Sequence, residues 1–235
     1  MKTFVNLISQ ITNVFFMIKH LILGLTLSII AIGCQTKTQQ GFDFTNVQDS
    51  LVFKTDVYDI NAQFPKFNHA YTDSLIRSSV WGMIKTFKEE AGEERLSENW
   101  KNEQVIKCEL AYTTQGFLSI VFRNYHYTGG AHGNTFLTSL VLHPNRGERY
   151  KLQDFFTTSA LQSVQKPVRE QLRQQLDADV FIDEGTATLA DYKVFTITDQ
   201  TVNFYFPPYQ VAAYAFGAPV VRIYQKSLTG FRFPE

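Results

Sequence analysis

Apolar and polar side chains alternate in seven parts of the chain, which is the pattern of strands that bury one face. The predicted strands are 51–58, 104–112, 117–127, 135–143, 192–198, 201–206 and 219–225. A hairpin loop is expected at 113–116, where Gly116 can adopt a positive φ.

Two other segments carry apolar residues at helical spacing. The first helix is predicted over 68–90, after Pro65 and before a C-cap at Gly92. The second is predicted over 159–176, with a kink or a break at Pro167. The resulting order, β-α-βββ-α-βββ, predicts an α+β fold in which antiparallel sheets pack against two main helices.

The N-terminal segment has the pattern of a bacterial lipoprotein signal. Lys19 and His20 precede an apolar stretch of twelve residues, and Ala31, Ile32 and Gly33 stand before Cys34. A membrane-spanning helix needs about 20 apolar residues, so the stretch suits a signal peptide better. We expect residues 1–33 to be removed and Cys34 to be lipidated. An uncleaved anchor with an incidental cysteine is the alternative.

Residues 1–16 fit this signal poorly because polar side chains interrupt them, so translation is expected to start at Met17. Residues 34–47 are interpreted as the lipidated cysteine and a flexible tether. Because Gln35, and not Asp, follows the cysteine, an outer-membrane location is favoured if the host has an outer membrane. The protein is thus expected to be extracytoplasmic.

The remaining part, 48–235, has the length of one ordinary domain. Lys2 and Lys19 lie in the signal segment, which leaves 20 Lys and Arg against 22 Asp and Glu beyond it. This balance provides no electrostatic footprint for nucleic acid. Two subdomains, meeting near 145–155, are one way to interpret the repeated order of a helix followed by strands.

Cys108 has no partner for a disulfide once Cys34 carries lipid. It alternates with Ile106 and Leu110 on one strand face, which predicts a buried structural thiol and not a nucleophile.

Two loops carry the most distinctive composition of the chain. Residues 127–134 place three glycines among Tyr127, His132 and Asn134, and residues 206–217 place two prolines and small residues among Tyr209 and Tyr214. Glycines permit positive φ and close approach of another chain or ligand. The loops either hold exposed binding residues or are merely tight, structural connections.

Both loops resemble motifs of one family of extracytoplasmic domains of unassigned function. The family includes the outer domain of the anti-sigma factor RsiV and the non-catalytic part of the peptidoglycan deacetylase PdaC. Residues 127–133 match its Tyr-x-Gly-Gly-Ala-His-Gly loop, and residues 206–217 match its Phe-x-x-Tyr-x-Val-Ala-x-Tyr-x-x-Gly segment, with Ala213 where Pro is frequent. The resemblance implies an α+β fold, a place in the cell envelope, and lysozyme or peptidoglycan as candidate partners.

No catalytic constellation, metal pattern or cofactor motif emerges from the sequence. His126, His132 and His143 lack the spacing of zinc ligands, and there is no Gly-x-Ser-x-Gly elbow. Asp183 and Glu184 would point in opposite directions on an extended chain and are interpreted as solvated loop charges.

We therefore predict a non-enzymatic envelope lipoprotein that binds a protein or a glycan. The candidate binding residues are Tyr127, His132, Asn134, Tyr209 and Tyr214, as exposed aromatic anchors and their polar neighbours. A cell-wall-glycan enzyme of unrecognised type and a purely structural envelope component are the alternatives.

Overall fold

A computed structural model describes residues 42–176 and 181–235, which belong to one compact unit, Gly41–Glu235. The signal segment, the proposed lipidation site Cys34 and most of the tether lie outside the described residues. Within the described ranges, no helix is long and apolar enough to cross a membrane.

The unit has an α+β fold, as predicted. Its elements are β1 (Val47–Lys54), β2 (Tyr58–Lys66), α1 (Ala70–Ala91), β3 (Asn102–Tyr112), β4 (Leu118–Tyr127), β5 (Asn134–His143), β6 (Glu148–Tyr150), α2 (Ala160–Gln175), β7 (Phe195–Ile197), β8 (Thr201–Tyr205) and β9 (Val220–Tyr224). Strands β1 to β6 form one sheet in sequence order, and β7 to β9 form a second. All pairs are antiparallel except β2 with β3, which are joined through α1.

The prediction of a single strand over 51–58 is wrong, because β1 ends and β2 begins within this region. The Thr55 hydroxyl accepts hydrogen bonds from the backbone N–H groups of Val57 and Tyr58, and so fixes a turn inside the predicted strand. Pro65 precedes the helix as predicted and lies in β2, opposite Gln48. The pairing of β2 with β3 ends before Pro65, so the N–H group that proline lacks is not needed for a hydrogen bond to β3.

Helix α1 packs against one face of the large sheet. His69 caps its first turn, and the N–H of Gly92 closes its last turn on the carbonyl of Lys88 at 3.1 Å. The buried stripe of the helix packs on inward-facing residues of β2 to β5 to form one hydrophobic cluster, which contains Ile60, Phe64, Ile76, Val80, Ile84, Phe87, Ile106, Ile120 and Leu140.

A second hydrophobic cluster lies between α2 and β7 to β9 and reaches back to Phe117 and Val141 of the first half. Helix α2 runs unbroken through Pro167, so of the predicted kink or break the break is wrong. Val164 and Val168, on either side of the proline, are fully buried, and this packing offsets the backbone bond that proline removes.

The small sheet is fixed to the opposite face of the large sheet by two serines. The Ser119 hydroxyl accepts from the N–H of Ile197, and the Ser139 hydroxyl accepts from the N–H of Phe195, each at 3.1 Å. Both main hydrophobic clusters lie within the compact unit, so we expect residues 41–235 to fold without the preceding segment.

Candidate functional site

The two distinctive loops meet, and their rings form a row. The His132 and Tyr214 rings are stacked, with centroids 4.1 Å apart and planes at 21°. The Tyr209 ring continues the row, 5.6 Å from that of Tyr214. We name these three residues the aromatic ladder. It joins side chains that are more than 70 positions apart in the sequence.

Hydrogen bonds to one carbonyl group hold the ladder. The Tyr214 hydroxyl and the His132 Nδ1–H both donate to the oxygen of Gly133, at 2.8 and 2.9 Å. His132 is exposed and Tyr214 is half-buried. A Cβ at Gly133 would lie 2.4 Å from the Tyr125 ring, so this backbone position tolerates only glycine.

Tyr209 is the outermost ring. It is 57% exposed and has a φ of 70°, a left-handed conformation that bulky residues rarely adopt. The loop that carries it is held from inside: the Gln210 amide donates to the carbonyls of Gly185 and Asp191, at 2.8 and 2.9 Å. The strained, exposed tyrosine therefore sits on a well-anchored backbone.

The other two predicted binding residues lie outside the ladder. The Tyr127 hydroxyl donates to the carbonyl of Gly130 at 3.1 Å, and its ring faces Trp100 at 6.4 Å. Asn134 is exposed at the start of β5, where it pairs with His126. The structure thus brings together His132, Tyr209 and Tyr214, whereas Tyr127 helps to hold the loop.

Sequence reasoning missed a second site, a groove between α1 and strands β4 and β5 with a volume of about 560 Å³. We name it the helix groove. Its wall is one stripe of α1, and its floor is formed by β4 and β5, with Arg149 of β6 at one end. The residues that line it include Ser79, Gly82, Met83, Glu90, Phe122, Asn124, His126 and Phe136.

Buried polar side chains lie under one end of this groove. His126 donates from Nδ1 to Glu90 Oε2 at 2.9 Å. With the proton on Nδ1, the Nε2 atom of His126 can accept from the Gln104 amide nitrogen, 3.3 Å away. That amide also donates to Asn124 Oδ1 at 2.9 Å.

The sequence did contain a signal for the helix groove. Most of the residues of β3 and β4 that face α1 are apolar. Gln104 on β3 and Asn124 and His126 on β4 are polar, although each is at most 6% exposed. Polar residues at core-facing positions of a strand are costly unless they are paired, so they indicate a built polar cluster.

Two family models match the chain. One, described as deacetylase PdaC, matches residues 51–135, and one, described as a protein of unknown function (DUF3298), matches residues 153–226. The chain belongs to the DUF3298 family related to PdaC. The aromatic ladder of this DUF3298 protein joins both matches, since His132 lies in the first and Tyr209 and Tyr214 lie in the second.

Among curated proteins, the chain is similar to the peptidoglycan-N-acetylmuramic acid deacetylase PdaC of Bacillus subtilis (strain 168), with 27% identity over 182 residues. This alignment covers 74% of the chain but only 38% of that enzyme. The chain therefore spans less than half of the relative, and the function of the DUF3298 domain itself is unassigned.

Two solved structures share the fold of this DUF3298 protein. A DUF3298 family protein from Pseudomonas aeruginosa PAO1 superposes with a TM-score of 0.61 at 15% identity, over 83% of this chain and 97% of that one. A member from Bacteroides fragilis NCTC 9343 gives 0.50 at 15% identity, over 77% and 91%. At this identity the likeness concerns the fold alone.

The remaining candidate groups of the DUF3298 protein have structural contacts. Cys108 is half-buried, and burial raises the pKa of its thiol to about 12. Asp183 forms ion pairs with Arg169 and Arg173, at 3.2 and 2.9 Å. His143 donates from Nε2 to the carbonyl of Gln115 at 3.1 Å. Among the described residues, no three His, Cys, Asp or Glu side chains are grouped as metal ligands.

Proposed function

We propose that this DUF3298 protein is an extracytoplasmic lipoprotein, attached through lipid on Cys34, whose domain binds the glycan of peptidoglycan without modifying it. The observation that carries the proposal is the aromatic ladder. Its rings lie in series, 4.1 and 5.6 Å apart, on a surface built from the family's two motifs.

A row of partly exposed rings suits a glycan chain. The C–H face of a pyranose is apolar and packs on a free aromatic face, here that of Tyr209, the outermost and most exposed ring. The hydroxyl groups of the sugar would project sideways to polar partners. The hydroxyl of the exposed Tyr209 is available at the outer end of the ladder. We choose peptidoglycan as the glycan because the similar protein PdaC is a deacetylase of N-acetylmuramic acid in that polymer.

The conformation of Tyr209 supports a binding role. A left-handed φ costs a non-glycine residue about 1–2 kcal/mol, and glycine would avoid that cost at this position. Because the ring is exposed, its packing within the domain contributes little to the stability of the fold. A strained, solvent-facing aromatic residue is therefore best explained by contact with a ligand.

Binding is favoured over catalysis because the ladder contains no acid–base pair. His132 Nδ1 and the Tyr214 hydroxyl both donate to one carbonyl, that of Gly133, so no hydrogen bond joins an acid to a base within the ladder. A proton-transfer role requires a partner within hydrogen-bond reach.

The test uses residues 41–235 in calorimetric titrations with soluble muropeptides and, separately, with a chicken-type lysozyme. We expect saturable micromolar binding to muropeptides. The double variant Tyr209→Ala Tyr214→Ala should bind at least tenfold more weakly, whereas Tyr224→Ala, which removes an exposed tyrosine on β9, should bind normally.

Muropeptide binding that survives in the double variant would overturn the role of the ladder. Binding to lysozyme alone would mean that the partner is a protein and not a glycan. No binding to either ligand would reject the proposal. The anchor has its own test, metabolic labelling with a palmitate analogue. The label should appear on the wild type and be absent from Cys34→Ser.

A further inference from the structure

The helix groove is a built site apart from the aromatic ladder. Its wall runs from Ser79 to Glu90 along α1, a length of about 16 Å at the rise of an α-helix. Helix α1 packs chiefly on β2 and β3, which leaves the same face of β4 and β5 open as the floor. The groove therefore arises because one helix is too narrow to cover a six-stranded sheet.

Asn124 provides a donor without an acceptor. The residue is only 6% exposed, and its Oδ1 accepts from the Gln104 amide. Asn124 lines the groove, and its Nδ2 group donates to no described residue and is not fully buried. This nitrogen can therefore donate to an acceptor that enters the groove.

Glu90 provides an acceptor close by. His126, 5% exposed, donates to one oxygen of the Glu90 carboxylate and so fixes its position at the rim. The Glu90 side chain is 49% exposed, and its second oxygen can accept from a ligand N–H. A donor and an acceptor of fixed geometry thus lie at the same end of the groove.

An apolar surface completes this end. The Phe136 ring is 43% exposed and lies 4.8 Å from the His126 ring. Met83 and Phe122 line the groove beside it. An exposed phenylalanine next to a buried polar cluster is suited to the apolar part of a small ligand.

We propose that the helix groove binds an acetamido group. Its carbonyl would accept from Asn124 Nδ2, its N–H would donate to Glu90, and its methyl would pack on Phe136. The groove, at about 560 Å³, also has room for the sugar or peptide that carries the group. An N-acetylhexosamine and an N-acetylated peptide share this chemistry, and the experiment below distinguishes them.

The test exploits Gly82, which lines the groove and whose added Cβ would have no neighbour within 4 Å. A leucine at this position would occupy the groove without displacing the native packing, and it favours the helix more than glycine does. Gly82→Ala is the matched control, because it changes the helix in the same direction and leaves most of the groove open.

The measurement is the side-chain amide signal of Asn124 in ¹⁵N-labelled residues 41–235, assigned by its loss in Asn124→Asp. The probes are triacetylchitotriose, cellotriose as the same type of sugar without acetamido groups, and N-acetyl-alanine methylamide. We expect a saturable shift with triacetylchitotriose that weakens at least tenfold in Gly82→Leu and is retained in Gly82→Ala. Cellotriose should bind at least tenfold more weakly.

Preferential binding of the acetylated peptide would support the acetamido site and assign its source to peptides. No shift with either acetamido probe, an equal response to cellotriose, or full binding in Gly82→Leu would overturn the proposal. The ladder variant Tyr209→Ala Tyr214→Ala should retain the Asn124 shift with triacetylchitotriose. Muropeptides also carry acetamido groups, so the muropeptide titrations of the ladder are repeated in the Gly82→Leu background, where the groove is filled. A failure of the ladder and a failure of the groove then give different results.

Discussion

The hydroxyl of Tyr214 donates to the carbonyl of Gly133 at 2.8 Å, across 81 positions of the sequence. This bond joins the two glycine- and aromatic-rich motifs into one surface. Each motif lies in a different matched segment of the chain, the first in the PdaC match and the second in the DUF3298 match. The ladder therefore forms only when both matched segments fold together.

Tyr214→Phe should weaken the domain by about 1 kcal/mol, the usual net contribution of one hydrogen bond. The phenylalanine ring can still stack on His132, so the fold should remain. Urea unfolding followed by tyrosine and tryptophan fluorescence measures the change. Tyr209→Phe is the control, because no described residue accepts from the Tyr209 hydroxyl, and its unfolding midpoint should stay at the wild-type value. Equal stability of Tyr214→Phe and wild type would contradict the joining role.

Gly133→Ala should destabilise the domain by about 1–3 kcal/mol through overpacking. The added Cβ would lie 2.4 Å from the Tyr125 ring and 2.5 Å from the His126 carbonyl oxygen, and backbone cannot yield cheaply. Gly82→Ala, in open space on α1, should instead stabilise the domain by about 1 kcal/mol. Thermal unfolding of both variants compares them directly, and a Gly133→Ala protein as stable as wild type would show that the loop can shift.

Tyr209→Gly separates the backbone of the loop from its ring. Glycine adopts the observed φ of 70° without strain, which raises the free energy of unfolding. The greater freedom of glycine in the unfolded chain lowers it again in part. The net change should therefore lie between zero and a rise of about 1 kcal/mol. Binding of muropeptides should nevertheless fall at least tenfold. Chemical denaturation and calorimetry on the same samples test both expectations. A marked loss of stability would mean that the ring supports the loop and is not kept for a ligand.

Much of this architecture follows from local patterns. The two helices lie close to their predicted ranges, and Gly92 is the C-cap of α1 as predicted. The side chains of His69 and Ser159 cap the first turns of α1 and α2. The division at Thr55 was missed because a side-chain hydrogen bond, not a glycine or proline, fixes that turn. The alternation across it looks like one strand.

The sites divide in the same way. The sequence indicated the residues of the ladder through composition and family resemblance, but their stacking depends on a contact between distant loops. The helix groove depends on which part of the sheet α1 leaves uncovered. No local pattern encodes that, although the polar residues Asn124 and His126 at inward positions of β4 marked the place.

His143 should make stability depend on pH. Burial, followed by the nearby Arg146, lowers its pKa in the folded protein below the ordinary value of 6.5, while Glu148 acts in the opposite direction. The unfolded chain then binds more protons than the folded one just below pH 6.5. Stability is therefore fully present above pH 6.5 and falls as the pH drops from there through the folded pKa.

The check is the unfolding free energy of wild type and His143→Gln at a series of pH values from 7.5 to 5. Other titrating groups contribute to both proteins, so the difference between the two curves isolates His143. The wild type should lose more stability than the variant over this range. Parallel curves would show that the folded protein accepts the proton without cost.

Cys108 should be almost inert towards alkylation in the folded domain. Its ordinary pKa of 9.0 is raised to about 12 by burial, which lowers the thiolate fraction near pH 8 by about a thousandfold. In residues 41–235, Cys34 is absent and Cys108 is the sole thiol. Iodoacetamide should therefore add slowly to the folded protein and rapidly in urea, as mass spectrometry of timed samples would show. Equally fast labelling in both states would mean that the thiol is reactive as folded, and the interpretation of Cys108 as a structural residue would fail.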